Sequence, residues 1–201
     1  DIVYFGAVGN LWAGSEHRGV FKSTDGGQNW DKVLFVDQFS GVIDMAMDPH
    51  NPDTIYAATY QRLRRAWGFN GGGPGSGIWK STDGGQNWTR LGSGLPEGDL
   101  GRIGIAVAKS NPDVVMAIVE AEDNQSGVYR SEDAGLSWKR VNQQNIRPMY
   151  YSHIFIDPND DKRVYTLATR SYFSDDGGET FSQIALAPTY DVGIHADHHS
   201  L

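Results

Sequence analysis

The sequence predicts an all-β fold assembled from repeated units of four antiparallel strands, and three observations predict it. A short motif recurs four times, as Ser23-Thr-Asp-Gly-Gly-Gln-Asn-Trp30, Ser81-Thr-Asp-Gly-Gly-Gln-Asn-Trp88, Ser131-Glu-Asp-Ala-Gly-Leu-Ser-Trp138 and Ser174-Asp-Asp-Gly-Gly-Glu-Thr-Phe181, at intervals of 58, 50 and 43 residues. Before each of the last three copies stands a turn cluster (Asp48–Asp53, Ser110–Asp113, Asp157–Asp161), followed by a run rich in strand formers. The 25 glycines and 8 prolines among 201 residues are spread as turn punctuation, not gathered in one tract. Repeats of this period mark solenoids and propellers. Four short strands per unit select propeller blades.

The strands follow in order. One full unit reads Gly41–Met47, Thr54–Thr59, Gly77–Lys80 and Trp88–Leu91. The next reads Arg102–Ala108, Val114–Glu120, Gly127–Arg130 and Trp138–Val141, and a third reads Ser152–Ile156, Val164–Ala168, Tyr172–Phe173 and Phe181–Ile184. The first unit opens on its second strand, Ile2–Ala7. The chain is therefore expected as a single segment, 1–201, of about four blades: 1–40, 41–92, 93–142 and 143–192, with 193–201 opening another. It is expected to be part of a larger propeller.

The recurring motif suits a tight hairpin between the third and fourth strands. Its Asp carboxylate and Ser hydroxyl can accept backbone N–H groups that the turn leaves unpaired. Its second glycine supplies a positive φ, and its closing aromatic packs between sheets. Ser23, Asp25, Gly27 and Trp30; Ser81, Asp83, Gly85 and Trp88; Ser131, Asp133, Gly135 and Trp138; and Ser174, Asp176, Gly178 and Phe181 are thus assigned to scaffold. Ala134 replaces the first glycine in the third copy, which predicts that this position needs no positive φ.

The motif resembles the Asp box, Ser-x-Asp-x-Gly-x-x-Trp, of sialidases, other glycoside hydrolases and sortilin-type receptor domains. The wider text (Asp44-Met-Ala-Met-Asp-Pro, Gly71-Gly-Gly-Pro-Gly-Ser-Gly, Gly101-Arg-Ile-Gly-Ile-Ala, His195-Ala-Asp-His-His) is similar to a large bacterial family of Asp-box propellers labelled glycosyl hydrolase or sortilin-like. That resemblance implies a secreted, periplasmic or cell-surface protein with more blades than this chain holds. It does not extend to sialidases as such: Arg147-Pro148 lacks the preceding Ile of their Arg-Ile-Pro motif, and no arginine triad can be assigned.

Composition narrows the partners. A formal net charge of −8 argues against a general nucleic-acid binder. No apolar run reaches the roughly 18 residues of a membrane span. With no cysteine there is no thiolate nucleophile or thiolate metal site. No cofactor is expected, since the glycine run lacks the Gly-Lys-Ser/Thr ending of a phosphate loop.

Alternating strand direction puts the Asp boxes and the Asn-Pro-Asp turns on one face. The opposite face carries the varied loops where function is expected. There the loop 60–76 holds Arg62, Arg64, Arg65 and Trp67, and a second loop holds Arg147, Tyr150 and Tyr151, with Arg102 and His153 near strand starts. Guanidinium groups pair with carboxylates and indoles stack on sugars or peptide side chains, so these residues predict a binding module for glycan or peptide. One alternative is a non-sialidase glycoside hydrolase using top-face carboxylates, with Asp44, Asp99 and Glu120 as candidates, since glycoside hydrolysis needs two carboxyls flanking one bond. The other is a structural module of a larger secreted protein. His195, Asp197 and His199 would project to one side of a strand, a donor set suited to zinc or another divalent ion.

Overall fold

The computed structural model describes residues 1–184. The histidine cluster His195, Asp197 and His199 lies outside the described residues, as does the segment 193–201. Among the described residues the chain is all β, in four antiparallel sheets. The first sheet has three strands, β1 (Val3–Ala7), β2 (Gly19–Ser23) and β3 (Asp31–Leu34). The second runs β4 (Ser40–Met47), β5 (Ile55–Arg65), β7 (Gly77–Ser81), β8 (Thr89–Leu91), with β6 (Gly68–Gly71) paired to the far end of β5. The third is β9 (Leu100–Val107), β10 (Val115–Ala121), β11 (Gly127–Ser131) and β12 (Lys139–Asn142). The fourth is β13 (His153–Asp157), β14 (Asp160–Leu167), β15 (Ser171–Ser174) and β16 (Ser182–Gln183). Among the described residues each expected strand is present, most within a few residues of the expected ends, while β5 runs on from Thr59 to Arg65.

Three apolar clusters fill the three gaps between neighbouring sheets. Val20, Leu34, Val42 and Ala57 join blades one and two; Tyr56, Ile78, Ile103, Ile105 and Val115 join two and three; Met116, Ile118, Val128, Ile154 and Val164 join three and four. The sheets thus pack face to face in chain order, the arrangement of propeller blades.

Every Asp box closes in the same way. The Ser hydroxyl accepts the N–H of the residue four ahead, at 2.8 Å for Gly27, Gly85 and Gly135 and 2.9 Å for Gly178, and donates to the Asp carboxylate. One carboxylate oxygen accepts the backbone N–H of Asn29, Asn87, Ser137 or Thr180 at 2.8–2.9 Å. The other accepts the side chain of that same residue. In the three tryptophan copies the indole N–H donates to the carbonyl of the second glycine position.

The boxes also register one blade against the next. The Gly84 carbonyl accepts from Tyr4 Oη and Lys22 Nζ of the preceding blade, and the Ala134 carbonyl accepts from Tyr56 Oη and Lys80 Nζ at 2.9 and 2.7 Å. The N–H groups of Gly84 and Ala134 meanwhile donate to Asp53 and Asp113 in their own blades' preceding turns. At the last interface Arg130 takes the place of the lysine and bonds Asp161.

This double duty corrects the reading of Ala134. Its φ is +55°, in line with Gly26 at +79°, Gly84 at +67° and Gly177 at +77°. The left-handed conformation turns the N–H and the carbonyl to opposite partners, and an alanine there carries a steric strain that glycine avoids.

Two predictions follow from these contacts. Ala134→Gly removes the strain and is expected to raise stability by about 0.5–1 kcal/mol, read as a higher urea midpoint at unchanged slope. The box carboxylates give the second. Hydrogen bonds accepted from the Asn87 N–H, the Ser137 hydroxyl and the Ser174 hydroxyl are the leading causes that hold Asp83, Asp133 and Asp176 down at about 2, and the Asn29 N–H leads in lowering Asp25. A folded-state pKa below the unfolded one stabilises above the ordinary carboxylate range and is lost as pH falls through it. The contribution of the boxes should therefore be complete above about pH 5 and be lost as pH falls toward 2, and Asp83→Asn should flatten that acid limb in a urea-midpoint series.

Candidate functional site

The face opposite the Asp boxes differs most from expectation at 60–76. In place of an irregular loop, β5 continues to Arg65 and turns back as β6, pairing Arg62 with Gly71, Leu63 with Asn70, Arg64 with Phe69 and Arg65 with Gly68. This hairpin is tied on one side to Leu11 and Phe39, whose carbonyls accept the N–H groups of Arg64 and Arg62, and on the other to Leu100 through Gly73 N–H. Gly72 and Gly73 let the chain run this close to Leu100: a Cβ at Gly72 would press on the Leu100 carbonyl at 3.2 Å. The hairpin end is open to solvent, with Trp67 86% exposed and Arg64, Arg65 and Phe69 also exposed. Arg64 lies over the Phe69 ring, 5.7 Å from its centroid.

Beneath it, a cleft of about 320 Å³ opens between blades two and three. It is lined by Asn70–Gly72 of the hairpin, Asp99–Gly101 entering β9, and Glu120–Glu122 leaving β10. Of the three carboxylates singled out by sequence, this cleft brings together Asp99 and Glu120. Asp99 is exposed. Glu120 is half-buried and its Oε2 accepts the Arg102 N–H at 2.9 Å, capping the β-bulge where the β9–β10 register slips. Desolvation raises its pKa above the ordinary carboxylate value. Asp44 lies apart: its two oxygens accept the N–H groups of Met45 and of Ile105 in the next blade, at 2.9 and 3.0 Å. Burial raises its pKa too. In this position Asp44 ties the inner strands of two blades together.

The second loop takes a different form from the hairpin. Arg147 adopts φ +48° and its guanidinium lies 5.6 Å from the centre of the Tyr150 ring, which meets Tyr151 edge to face at 5.1 Å. Tyr150 is exposed, but Tyr151 is fully buried. Tyr151 therefore anchors the loop and offers no surface to a ligand, contrary to the sequence reading, because aromatic content alone does not say which of two adjacent rings turns inward. His153 is half-buried at the start of β13. Tyr150, Tyr151 and His153 all have interaction partners.

Sequence reasoning passed over Tyr60, which closes the buried stretch of β5 with 0% exposure. Tyr60 was legible only as the last member of an apolar run. Among the described residues no group of three His, Cys, Asp or Glu side chains is placed to hold a metal, and no helix is long and apolar enough to cross a membrane.

Comparison with known proteins agrees with this architecture. The BNR/Asp-box repeat model matches residues 172–183. The xyloglucanase Xgh74A of Acetivibrio thermocellus is 26% identical over 147 residues, covering 61% of this chain and 16% of the relative. A xyloglucanase of a Paenibacillus species is 35% identical over 100 residues, covering 50% of this chain and 9% of the relative. Among solved structures, the GH74 xyloglucanase from Xanthomonas campestris superposes with a TM-score of 0.60 at 17% identity, over 94% of this chain and 32% of that one. The Niastella koreensis GH74 enzyme gives 0.57 at 21% identity, over 84% and 27%. The chain spans less than a fifth of these curated relatives and carries the fold of an Asp-box propeller.

Glu120 supplies a test of this geometry. Its folded-state pKa is raised, so its contribution is present at low pH and is lost as pH rises through that value. Glu120→Gln keeps an acceptor for the Arg102 N–H without the buried charge. It is expected to match the parent in Tm at pH 4 and to exceed it at pH 8.

Proposed function

We propose that this segment belongs to a glycan-acting propeller and contributes a saccharide-binding surface on the face opposite the Asp boxes. The observation that carries this reading is the cleft between blades two and three, roofed by the hairpin that exposes Trp67 and Phe69. A saccharide chain presents C–H faces to aromatic rings and hydroxyls to carboxylates and backbone amides; Asp99, Glu120, Glu122 and Asn70 line the cleft, and Trp67 and Phe69 are exposed on the hairpin whose Asn70–Gly72 end walls it. Its similarity to xyloglucanases supports the ligand class, and the acidic charge of the chain disfavours nucleic acid. Further blades, and a location outside the cytoplasm, belong to the same proposal.

A second reading, hydrolysis of the bound glycan, is favoured by one observation. Asp99 is exposed and Glu120 has a raised pKa in the same cleft, the asymmetry that a base and an acid require. The four box aspartates take no part in either reading, since each is committed to its own turn.

The test is saccharide binding in the intact protein, followed by calorimetry with xyloglucan oligosaccharides. Trp67→Ala is expected to weaken binding roughly five- to ten-fold through lost stacking, with Tm unchanged because the indole is free of the core. Unaltered affinity in that variant, at wild-type stability, overturns the placement. Asp99→Asn separates the second reading: lost hydrolysis with retained binding supports it, and retained hydrolysis removes it.

A further inference from the structure

We infer that Arg62, Arg102 and the Tyr60 hydroxyl form a receptor for an oxyanion, namely the carboxylate of an acidic sugar in the ligand of the proposed function. Two of these donors meet at the inner end of the hairpin, where β5 leaves the blade, and the third comes from the next blade. The Tyr60 hydroxyl is fully buried and has no hydrogen-bond partner, and Arg62 Nε beside it is likewise buried and unpartnered. The Arg62 guanidinium carbon lies 5.9 Å from the Tyr60 ring centroid. Arg102, half-buried on β9 of the next blade, lies within electrostatic reach of both.

A buried donor left unsatisfied costs free energy in any fold, and two guanidinium groups brought together repel. Neither arginine is in an ion pair among the described residues. The neighbouring acids make no ion pair with them: Asp44 and Glu120 lie within electrostatic reach of Arg102, but the Asp44 oxygens accept backbone N–H groups of Met45 and Ile105, and Glu120 Oε2 accepts that of Arg102. Arg18 of blade one faces the group as a third cation, with Asp37 near it. Its terminal nitrogens are held by the carbonyls of Val8, Asn10 and Ala13, while its Nε, like that of Arg62, is buried without a partner.

What complements two cationic donors and a phenolic O–H is an acceptor that carries negative charge, and a planar carboxylate fits a guanidinium fork best. Glycine 71 sets the site against the cleft. A Cβ there would stand 2.6 Å from the Phe69 ring and 2.8 Å from the Tyr60 hydroxyl oxygen, so that oxygen lies directly behind the Gly71 wall of the cleft, with the Phe69 ring beside it. The acids at the outer rim, Asp99 and Glu122, and the cations within would then orient a chain of neutral sugars bearing one acidic unit.

This inference rests on the saccharide reading for its ligand and can fail separately from it. The probes are a galacturonate oligomer, a neutral xyloglucan oligosaccharide and inorganic phosphate, titrated into the intact protein across a salt series. The acidic oligomer is expected to bind more tightly than the neutral one and to weaken as salt rises. Arg62→Gln and Arg102→Gln are each expected to weaken it about ten-fold or more and to leave the neutral ligand unaffected. Tyr60→Phe deletes an oxygen that has no partner in the fold, so Tm should hold or rise while acidic binding falls; it keeps the test open if an arginine variant misfolds. Phosphate bound in an Arg62-dependent way, with neither saccharide bound, supports the oxyanion receptor and overturns the saccharide reading. Equal affinity for acidic and neutral oligomers, or a preference that survives Arg62→Gln at wild-type stability, overturns the receptor.

Discussion

In every blade the box aspartate reaches forward to the N–H four residues ahead, while the serine two residues before it takes the N–H of the glycine two residues after it. These two acceptors hold a turn that places one residue at the tip with its N–H and carbonyl pointing to different partners. Without that turn, the Gly84 and Ala134 carbonyls would not meet the tyrosine and lysine of the preceding blade. The apolar gaps between sheets would then lose their register. The exposed position of the carboxylates does not weaken this role, because their hydrogen bonds, not burial, set their low pKa.

The opposite face is built by departures from that repeat. Blade two extends its second strand to Arg65 and folds it back. Blade three inserts a bulge at Gly101–Arg102, capped by Glu120. Bulges and hairpin extensions re-aim side chains without disturbing the blade beneath. The cleft and the buried donors both lie where these two departures meet. The same carboxylate, Glu120, thus shapes the backbone and lines the cavity, which is why its protonation and the site's geometry are linked.

Much of the fold was legible because the motif is local: Ser, Asp, Gly and an aromatic at fixed spacing encode a hairpin whatever surrounds it. The error at Ala134 arose from reading a residue type as a conformational preference when the demand came from Tyr56 and Lys80, some 54 to 78 residues away in sequence. The hairpin at 60–76 was hidden because Gln61-Arg62-Leu63-Arg64-Arg65 has no apolar alternation; its pairing depends on the carbonyls of Leu11 and Phe39 in other segments. The candidate site was legible as a set of residue types on one face. Which of them meet was not, since convergence of Asp99 with Glu120, or of Tyr60 with Arg62 and Arg102, is decided by contacts between blades. Adjacent Tyr150 and Tyr151 make the same point at the smallest scale, one ring outward and one inward.

The inter-blade clamp has a direction. Each of the first two units offers donors, tyrosine and lysine, to the box of the unit after it, and that second unit carries both a box carbonyl that receives and a fresh pair of donors. A unit of this kind is complementary to a copy of itself. Tandem duplication of its coding segment would create a new blade that already fits its parent, with no compensating substitution needed. Such a head-to-tail interface grows until the rotation per unit closes it into a ring. The number of blades in such a protein is then an outcome of gene history and closure geometry, and divergence can concentrate on the opposite face.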